Sequence, residues 1–539
     1  MAASLETASR LPSLASQDLI GSPASSKNSI INEKIVDVES LDDGLIHGHC
    51  LKNGERIAVS WTKEEERQVV RKADLLVLPL LTMLFFFMAL DRTNISGVLT
   101  GTFLKDTGIT RDEANIGTSL LWLGIVLLEI PSNIVLQRIG ANIWIPLQVI
   151  VWGLAEVLHM FITNRSGFYA ARFFLGLLES GFIPGGLYTI SRWYTRAELA
   201  KRTVVFFFGT SLASALGNLI AAGCISIHGK SGLAGWQWIF LIDGVGTIGA
   251  GIFTFLLLPK DPRNGGILRR GKSIFATERE ADIFMARIET DDPLKEQGAT
   301  LKITSKDIIG VLSDWRLYPH LIMCLSGLQS VGGLSVWGGT IIKSLGFSSV
   351  RANLLNTPGP FLTMIFSVIL AWFVDKWKNL YGLAIIFTAT WTVVGLIAVY
   401  SLPISATNGS WRFYAALIFT SAAPNWQALN VSWVSLSMRT PQRRAVAYAV
   451  YIGCSNLGGT YGPHVFQGSD APLYRKAWAG CLSLGAVWLA SSILQLVQYR
   501  LSNKRKQRKW AALSVDEQEE YTRTTTETSG KRLDFTYPI

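Results

Sequence analysis

Charge is scarce in this chain. Only 17% of its 539 residues are Asp, Glu, Lys or Arg, against about a quarter in an ordinary soluble domain. Most of the chain therefore cannot present a solvated surface. Cysteine is scarce as well. The five cysteines, Cys50, Cys224, Cys324, Cys454 and Cys481, are scattered and lie mostly in apolar runs. That spacing excludes a disulfide framework and a thiolate zinc site. No nucleophile–base constellation and no cluster of metal ligands appears, so neither an enzyme nor a cofactor or metal is expected. An apolar signal-peptide core is missing from the N-terminus, so the first span is expected to direct insertion itself. The net charge of +11 is not gathered into a soluble basic domain, which excludes nucleic acid as a partner.

What is present is apolar sequence in repeated runs of about 20 residues, the length of a membrane-spanning helix. The mean hydropathy is +0.30. The expectation is an all-α polytopic membrane protein with the lipid bilayer as its solvent. Twelve spans are predicted, at 74–97, 114–136, 142–161, 167–190, 203–226, 236–258, 318–342, 352–374, 380–402, 411–435, 444–466 and 476–499. They form two six-helix halves, 73–258 and 317–500, around a polar middle loop, 259–316. Residues 1–72, rich in Ser and charge, are expected to be a disordered tail, and 501–539 a second tail. Two sets of six around a long loop is the pattern of a two-halved transporter.

Orientation rests on basic residues. The short loops are nearly balanced. However, the flanks of spans one and twelve are basic, and the middle loop holds eleven Lys and Arg. Both termini and the middle loop are therefore expected in the cytosol. Two Asn-x-Ser sequons, at Asn164 and Asn408, then fall outside and are candidate N-glycosylation sites. Trp236 and Trp238 are expected to anchor span six at the outer interface.

Ionisable residues inside spans are expensive and point to function. Asp91 and Arg92 lie about 24 Å into span one, and Arg172 lies about 8 Å below the outer end of span four. Asp91 and Arg172 thus share a depth and are expected to pair as a gate. Glu179 lies two helical turns beyond Arg172, on the same side. A carboxyl group away from water gains by taking up a proton, so Asp91 and Glu179 are the expected proton carriers. Arg92 offers a planar fork suited to a substrate carboxylate. The plainer reading is a static ion pair locking helices together. Glu129 reads as a structural residue near an inner gate, Glu156 and His159 as a packing pair, and Asp243 as locally capped or paired. His320 and His464 are given no role.

The second half carries amides in place of charge. Gln329, Asn356, Asn425 and Asn456 are candidate substrate ligands opposite Arg92, although a single amide is more often glue between helices. Gly266–Ser273 matches the phosphate-loop pattern GxxxxGK[ST], but no strand precedes it, so nucleotide binding is not expected.

Several stretches carry a family likeness: Leu90-Asp91-Arg92-Thr93-Asn94-Ile95-Ser96, Glu129-Ile130-Pro131-Ser132-Asn133, and Arg172 to Gly181. Others are Ser191-Arg192-Trp193-Tyr194, Trp236-Gln237-Trp238-Ile239-Phe240, and Ser455 to Thr460. Over about residues 70–500 the sequence resembles the major facilitator superfamily, and within it the fungal allantoate permease family of anion:cation symporters. The resemblance implies a monomeric major facilitator fold in the plasma membrane. It implies proton symport of a small organic anion, such as a ureide, a vitamin acid, a carboxylate or a short peptide. It also implies Asp91 and Glu179 as proton carriers, Arg92 as carboxylate ligand and Arg172 as the partner of Asp91. The sequence departs from the pattern at Gln137-Arg138-Ile139-Gly140, which lacks the usual acidic–basic pair. Rival readings are an exporter of a fungal secondary metabolite and a nutrient sensor that does not transport.

Overall fold

The computed structural model describes residues 45–525 and 532–539, apart from 53–54, 267–272, 292–303, 378–379, 403–409, 439–440 and 472–473. Asn408 and most of the phosphate-loop look-alike lie outside the described residues.

Order begins well before residue 73. Leu45–Lys52 (β1) and Glu55–Thr62 (β2) form an antiparallel hairpin, with Leu45 opposite Thr62. Cys50, Val59 and Trp61 point to one face, as a period of two requires. The hairpin runs directly into the first helix, where Thr62 and Glu65 make a reciprocal capping box. The expected disordered tail therefore stops short of this segment.

The N-terminal half comprises α1 (Lys63–Thr100), a short α2 (Phe103–Thr107), α3 (Arg111–Ile139), α4 (Ala141–Leu158), α5 (Arg165–Glu179), α6 (Phe182–Trp193), α7 (Arg196–Ser226) and α8 (Gly235–Leu257). Span four is two helices, α5 and α6, end to end. Helices α4 and α8 pack at backbone distance. A Cβ on Gly244 would sit 2.9 Å from the Gly153 carbonyl oxygen, and one on Gly153 would sit 3.1 Å from that of Gly244. Small residues at both positions let the two helices approach this closely. Outward-facing Leu127, Ile130, Phe174, Val204 and Val245 are exposed, as a lipid-facing belt requires.

The middle segment is not a plain loop. It contains α9 (Glu278–Asp291) and α10 (Ser305–Leu312). Helix α9 buries Ile283, Phe284 and Ile288 in the same core cluster as Trp61 of the hairpin. Ion pairs surround that contact: Lys52 with Glu278 and Asp282, Lys72 with Glu280, and Arg287 with Glu198. The hairpin and α9 together form a cap on one end of the N-terminal half.

The C-terminal half comprises α11 (Tyr318–Ser344), α12 (Ser349–Asn356), α13 (Pro358–Lys376), α14 (Tyr381–Ser401), α15 (Ser410–Ser421), α16 (Gln427–Ser437), α17 (Pro441–Tyr461) and α18 (Arg475–Ala511). Ten helical spans among the described residues are long and apolar enough to cross a membrane. The expected spans ten and eleven are absent from that set. Span ten is divided into α15 and α16 at Ala422–Trp426, around Pro424. Span eleven is α17, whose first turns carry Arg443 and Arg444.

The second tail also has structure. Helix α18 continues to Ala511, α19 spans Val515–Thr524, and the final residues fold back. Tyr537 stacks on Tyr499 with ring centroids 4.4 Å apart. Asn503 both donates to and accepts from the Tyr537 backbone, at 2.8 Å each way.

The two halves are bonded mainly at the end opposite the hairpin. The Thr100 carbonyl accepts from Lys343 and Ser349, and the Thr100 hydroxyl accepts from Asn353. Asn115 accepts from Trp337 and donates to the Phe466 carbonyl. Asp112 accepts from the Gly468 amide, and Arg111 meets Tyr474. Among bonds between described residues, the crossing nearest the hairpin end is Asn456 to Glu129, at 2.9 Å. Among the described residues the halves are therefore bonded chiefly at the far end, with few bonds between them towards the hairpin end.

Candidate functional site

The site begins at a broken helix. After Glu179 the chain passes through extended Ser180 into Gly181, at φ +80°. Only glycine holds that conformation without strain. A Cβ there would also lie 2.7 Å from Ser132. The break frees backbone carbonyls inside the bundle, where water cannot satisfy them. Gln148 of α4 supplies the donors: its amide reaches the Leu178 carbonyl at 2.8 Å and that of Ser180 at 2.5 Å. Sequence reading missed Gln148, which looks like one polar residue in an apolar run. Gln148→Leu removes both donors and is expected to destabilise the protein by about 2 kcal/mol. A clearly lowered unfolding temperature in detergent would show it.

Glu179, at the end of α5, is buried to 1% exposure. Its Oε2 accepts from Nε of Arg92 at 2.7 Å. The Arg92 guanidinium also lies 5.2 Å from the ring centre of Trp122 on α3. Trp122 in turn packs on Gly459 of α17. The ion pair therefore stands beside the seam between the halves. The expected carboxylate ligand and the expected proton carrier are partners.

Asp91, the neighbour of Arg92, points elsewhere. Its carboxylate accepts from Trp152 Nε1 at 3.1 Å and from the Thr247 hydroxyl at 3.2–3.3 Å. Arg172 is 2% exposed, and its guanidinium lies 5.6 Å and 5.7 Å from the ring centres of Phe168 and Phe240. Its Nε and Nη2 have no hydrogen-bond partner. Among the described residues no ion pair joins Asp91 to Arg172 in this conformation. A second polar group lies in the same half. Asn94 Nδ2 donates to Glu156 Oε1 at 2.5 Å and to Asp243 Oδ2 at 3.2 Å. His159 Nδ1 lies 2.8 Å from the Ala155 carbonyl. The close contact of α4 with α8 brings Glu156 and Asp243 together. Residues treated separately in the sequence thus form one cluster.

The four expected ligands of the second half do not converge. Asn456 binds Glu129 across the seam. Asn356 donates to Asn218 of α7 at 3.1 Å, also across the seam. Gln329 is buried against Gly458 and Gly462. Asn425 is exposed and closes a local turn just before α16, its Oδ1 accepting from the Gln427 amide at 2.9 Å. A buried network not expected from the sequence joins His320 to Asn430 at 2.6 Å and to Tyr499 at 3.1 Å. Asn164 caps α5 through its Oδ1 and is exposed.

A helical bundle in two halves, closed against one another at one end, with an ion pair beside the seam, is a membrane transporter. The model of the Major Facilitator Superfamily matches residues 81–463. The uncharacterized transporter YIL166C of Saccharomyces cerevisiae is 30% identical over 481 residues, covering 89% of this chain and 88% of that protein. A protein of Agrobacterium vitis, provisionally assigned as a tartrate transporter, is 28% identical over 74% of this chain and 87% of its own. Among solved structures, a D-xylose-proton symporter superposes with a TM-score of 0.59 at 12% identity, over 78% of this chain and 96% of that one. A partially occluded inward-open xylose transporter from E. coli gives 0.57 at 14% identity, over 80% and 97%. The chain belongs to the major facilitator superfamily. It is a multi-pass membrane transporter of small molecules, and its relatives are named as transporters rather than enzymes.

Proposed function

We propose that this transporter is a proton-coupled symporter of small organic anions, of the allantoate permease type, working by alternating access in the plasma membrane. The observation that carries the reading is the 2.7 Å pair between Arg92 and Glu179 beside the seam. A guanidinium beside a carboxylate that can be protonated can exchange partners. When Glu179 takes up a proton, its charge is lost and Arg92 is free to hold the carboxylate of a substrate. When the substrate leaves, Glu179 gives up the proton and takes Arg92 back. Proton and anion then move together because each state leaves Arg92 with one anionic partner, never two. Asp91, held by Trp152 and Thr247, acts in the same half as a second carrier that meets Arg172 in another conformation. Asn456 and Asn356, now bonded across the seam, become available to a ligand when those bonds open. The hairpin end is cytosolic, in keeping with the basic middle segment, and exposed Asn164 then lies outside and can carry a glycan.

The assignment of an anion-carrying relative in Agrobacterium vitis supports the substrate class. The test is uptake of labelled allantoate, nicotinate and tartrate into proteoliposomes. Accumulation of at least one of them is expected under an inward proton gradient, with none when the gradient is collapsed by an ionophore. Uptake of all three at rates equal to empty vesicles would reject the anion class.

A further inference from the structure

Beyond the Arg92–Glu179 pair lies a second set of buried ionisable groups, of which Glu156 and Asp243 have no part in the coupling scheme. The groups facing one another there are Asp91 on α1, Glu156 and His159 on and just after α4, Arg172 on α5, and Asp243 on α8, with the Cys224 thiol of α7 near Asp243. Each of these except Cys224 is at most 2% exposed. With Arg92 and Glu179 neutralising one another, three carboxyl groups remain against the guanidinium of Arg172 and the His159 ring, whose Nδ1 lies 2.8 Å from the Ala155 carbonyl and 3.8 Å from Glu156 Oε2. Three ionised carboxylates would leave net negative charge in the middle of a bundle surrounded by hydrocarbon, which is prohibitively unfavourable.

Geometry separates the three. Asp91 accepts hydrogen bonds from two donors, Trp152 and Thr247, as a carboxylate should. Glu156 and Asp243 share one donor, the amide nitrogen of Asn94. Their remaining oxygens, Glu156 Oε2 and Asp243 Oδ1, have no hydrogen-bond partner. Arg172 points two unpartnered nitrogens into the same core. One shared amide nitrogen leaves each of these two carboxyl groups with an oxygen that no donor satisfies.

We propose that Glu156 and Asp243, bridged by Asn94, form a buried proton-binding pair inside the N-terminal half, apart from the Arg92–Glu179 pair at the seam. The pair holds at least one proton at neutral pH, so the bridging amide joins a carboxylic acid to a carboxylate, or two acids. Arg172, which Glu156, Glu179 and Asp91 act on in that order, balances the carboxylate charge that remains.

The test needs no substrate. Infrared spectra of the purified full chain in lipid would be recorded in H2O and D2O at pH 7, for wild type, Glu156→Gln and Asp243→Asn. The wild-type-minus-variant difference is expected to contain a protonated carboxyl C=O band that shifts on deuteration, for at least one of the two variants. Difference spectra containing only ionised carboxylate bands for both variants would overturn the proposal. Thermal unfolding gives a second reading that survives a failed spectrum. Neutral amides mimic protonated acids, so the Glu156→Gln, Asp243→Asn double variant is expected to unfold within a few degrees of wild type. An unfolding temperature lower by ten degrees or more would mean that both groups are ionised partners of Arg172, and would also overturn the pair. The proposal is separable from symport. Transport that proves independent of protons would refute the coupling scheme without touching these spectra.

Discussion

Glu179→Gln is expected to abolish accumulation while sparing exchange. A monovalent carboxylate carried with one proton across a gradient of one pH unit can be concentrated at most about tenfold, since one unit is worth about 1.4 kcal/mol. Glutamine keeps the size and a hydrogen-bonding oxygen but can neither take up a proton nor form an ion pair with Arg92. Arg92 is then permanently available to the anion. Substrate should still bind and still cross in both directions, so counterflow of labelled against unlabelled substrate persists. The roughly tenfold accumulation should fall to the ratio set by the substrate's own gradient. A variant that also loses counterflow would point to Glu179 holding the broken span four together, through its position beside Ser180 and Gly181, rather than to coupling.

Arg92→Ala should have the opposite signature. It removes the cation that receives the substrate and leaves Glu179 buried without its partner at 2.7 Å. Losing a charge-assisted bond of this kind corresponds to about 3 kcal/mol, or roughly a hundredfold in uptake at low substrate concentration. Exchange and accumulation should fall together, unlike the split expected for Glu179→Gln. Arg92→Lys keeps the charge and loses the planar fork, so a loss of about tenfold is expected. The comparison is made at matched protein content per vesicle, with initial rates measured over a range of substrate concentrations. Equal rates for wild type and Arg92→Ala would remove Arg92 from the substrate path.

The spans were legible because about 20 apolar residues in a row leave little choice of structure. The superfamily was legible from motifs around Asp91, Arg172 and Glu179. The pairing of those charges was not. Depth along a helix can be counted, and it places Asp91 level with Arg172. Rotation about the axis decides which neighbour a side chain meets, and that depends on how six helices pack. Consecutive residues differ by about 100°. Asp91 therefore faces Trp152 and Thr247, while Arg92 turns towards Trp122 and Glu179.

The same limit hid the cluster of Glu156 and Asp243. It exists because glycines at 153 and 244 let α4 and α8 touch, a contact no local pattern announces. The hairpin was missed for a different reason. Averaged over 72 residues, the N-terminal segment reads as disordered, but Asn53-Gly54 flanked by the alternating residues of β1 and β2 is a strong local hairpin signal. The amides of the second half were read as ligands by composition. The structure gives Asn456 and Asn356 to contacts across the seam and Asn425 to a local turn before α16.

The exchange of partners at Arg92 is most directly tested by measuring both fluxes at once. Vesicles holding the transporter and a trapped pH dye would be given a labelled monovalent carboxylate without any imposed gradient. The account predicts internal acidification in step with label entry, abolished in Glu179→Gln while exchange continues. Label entering without a matching proton would contradict it.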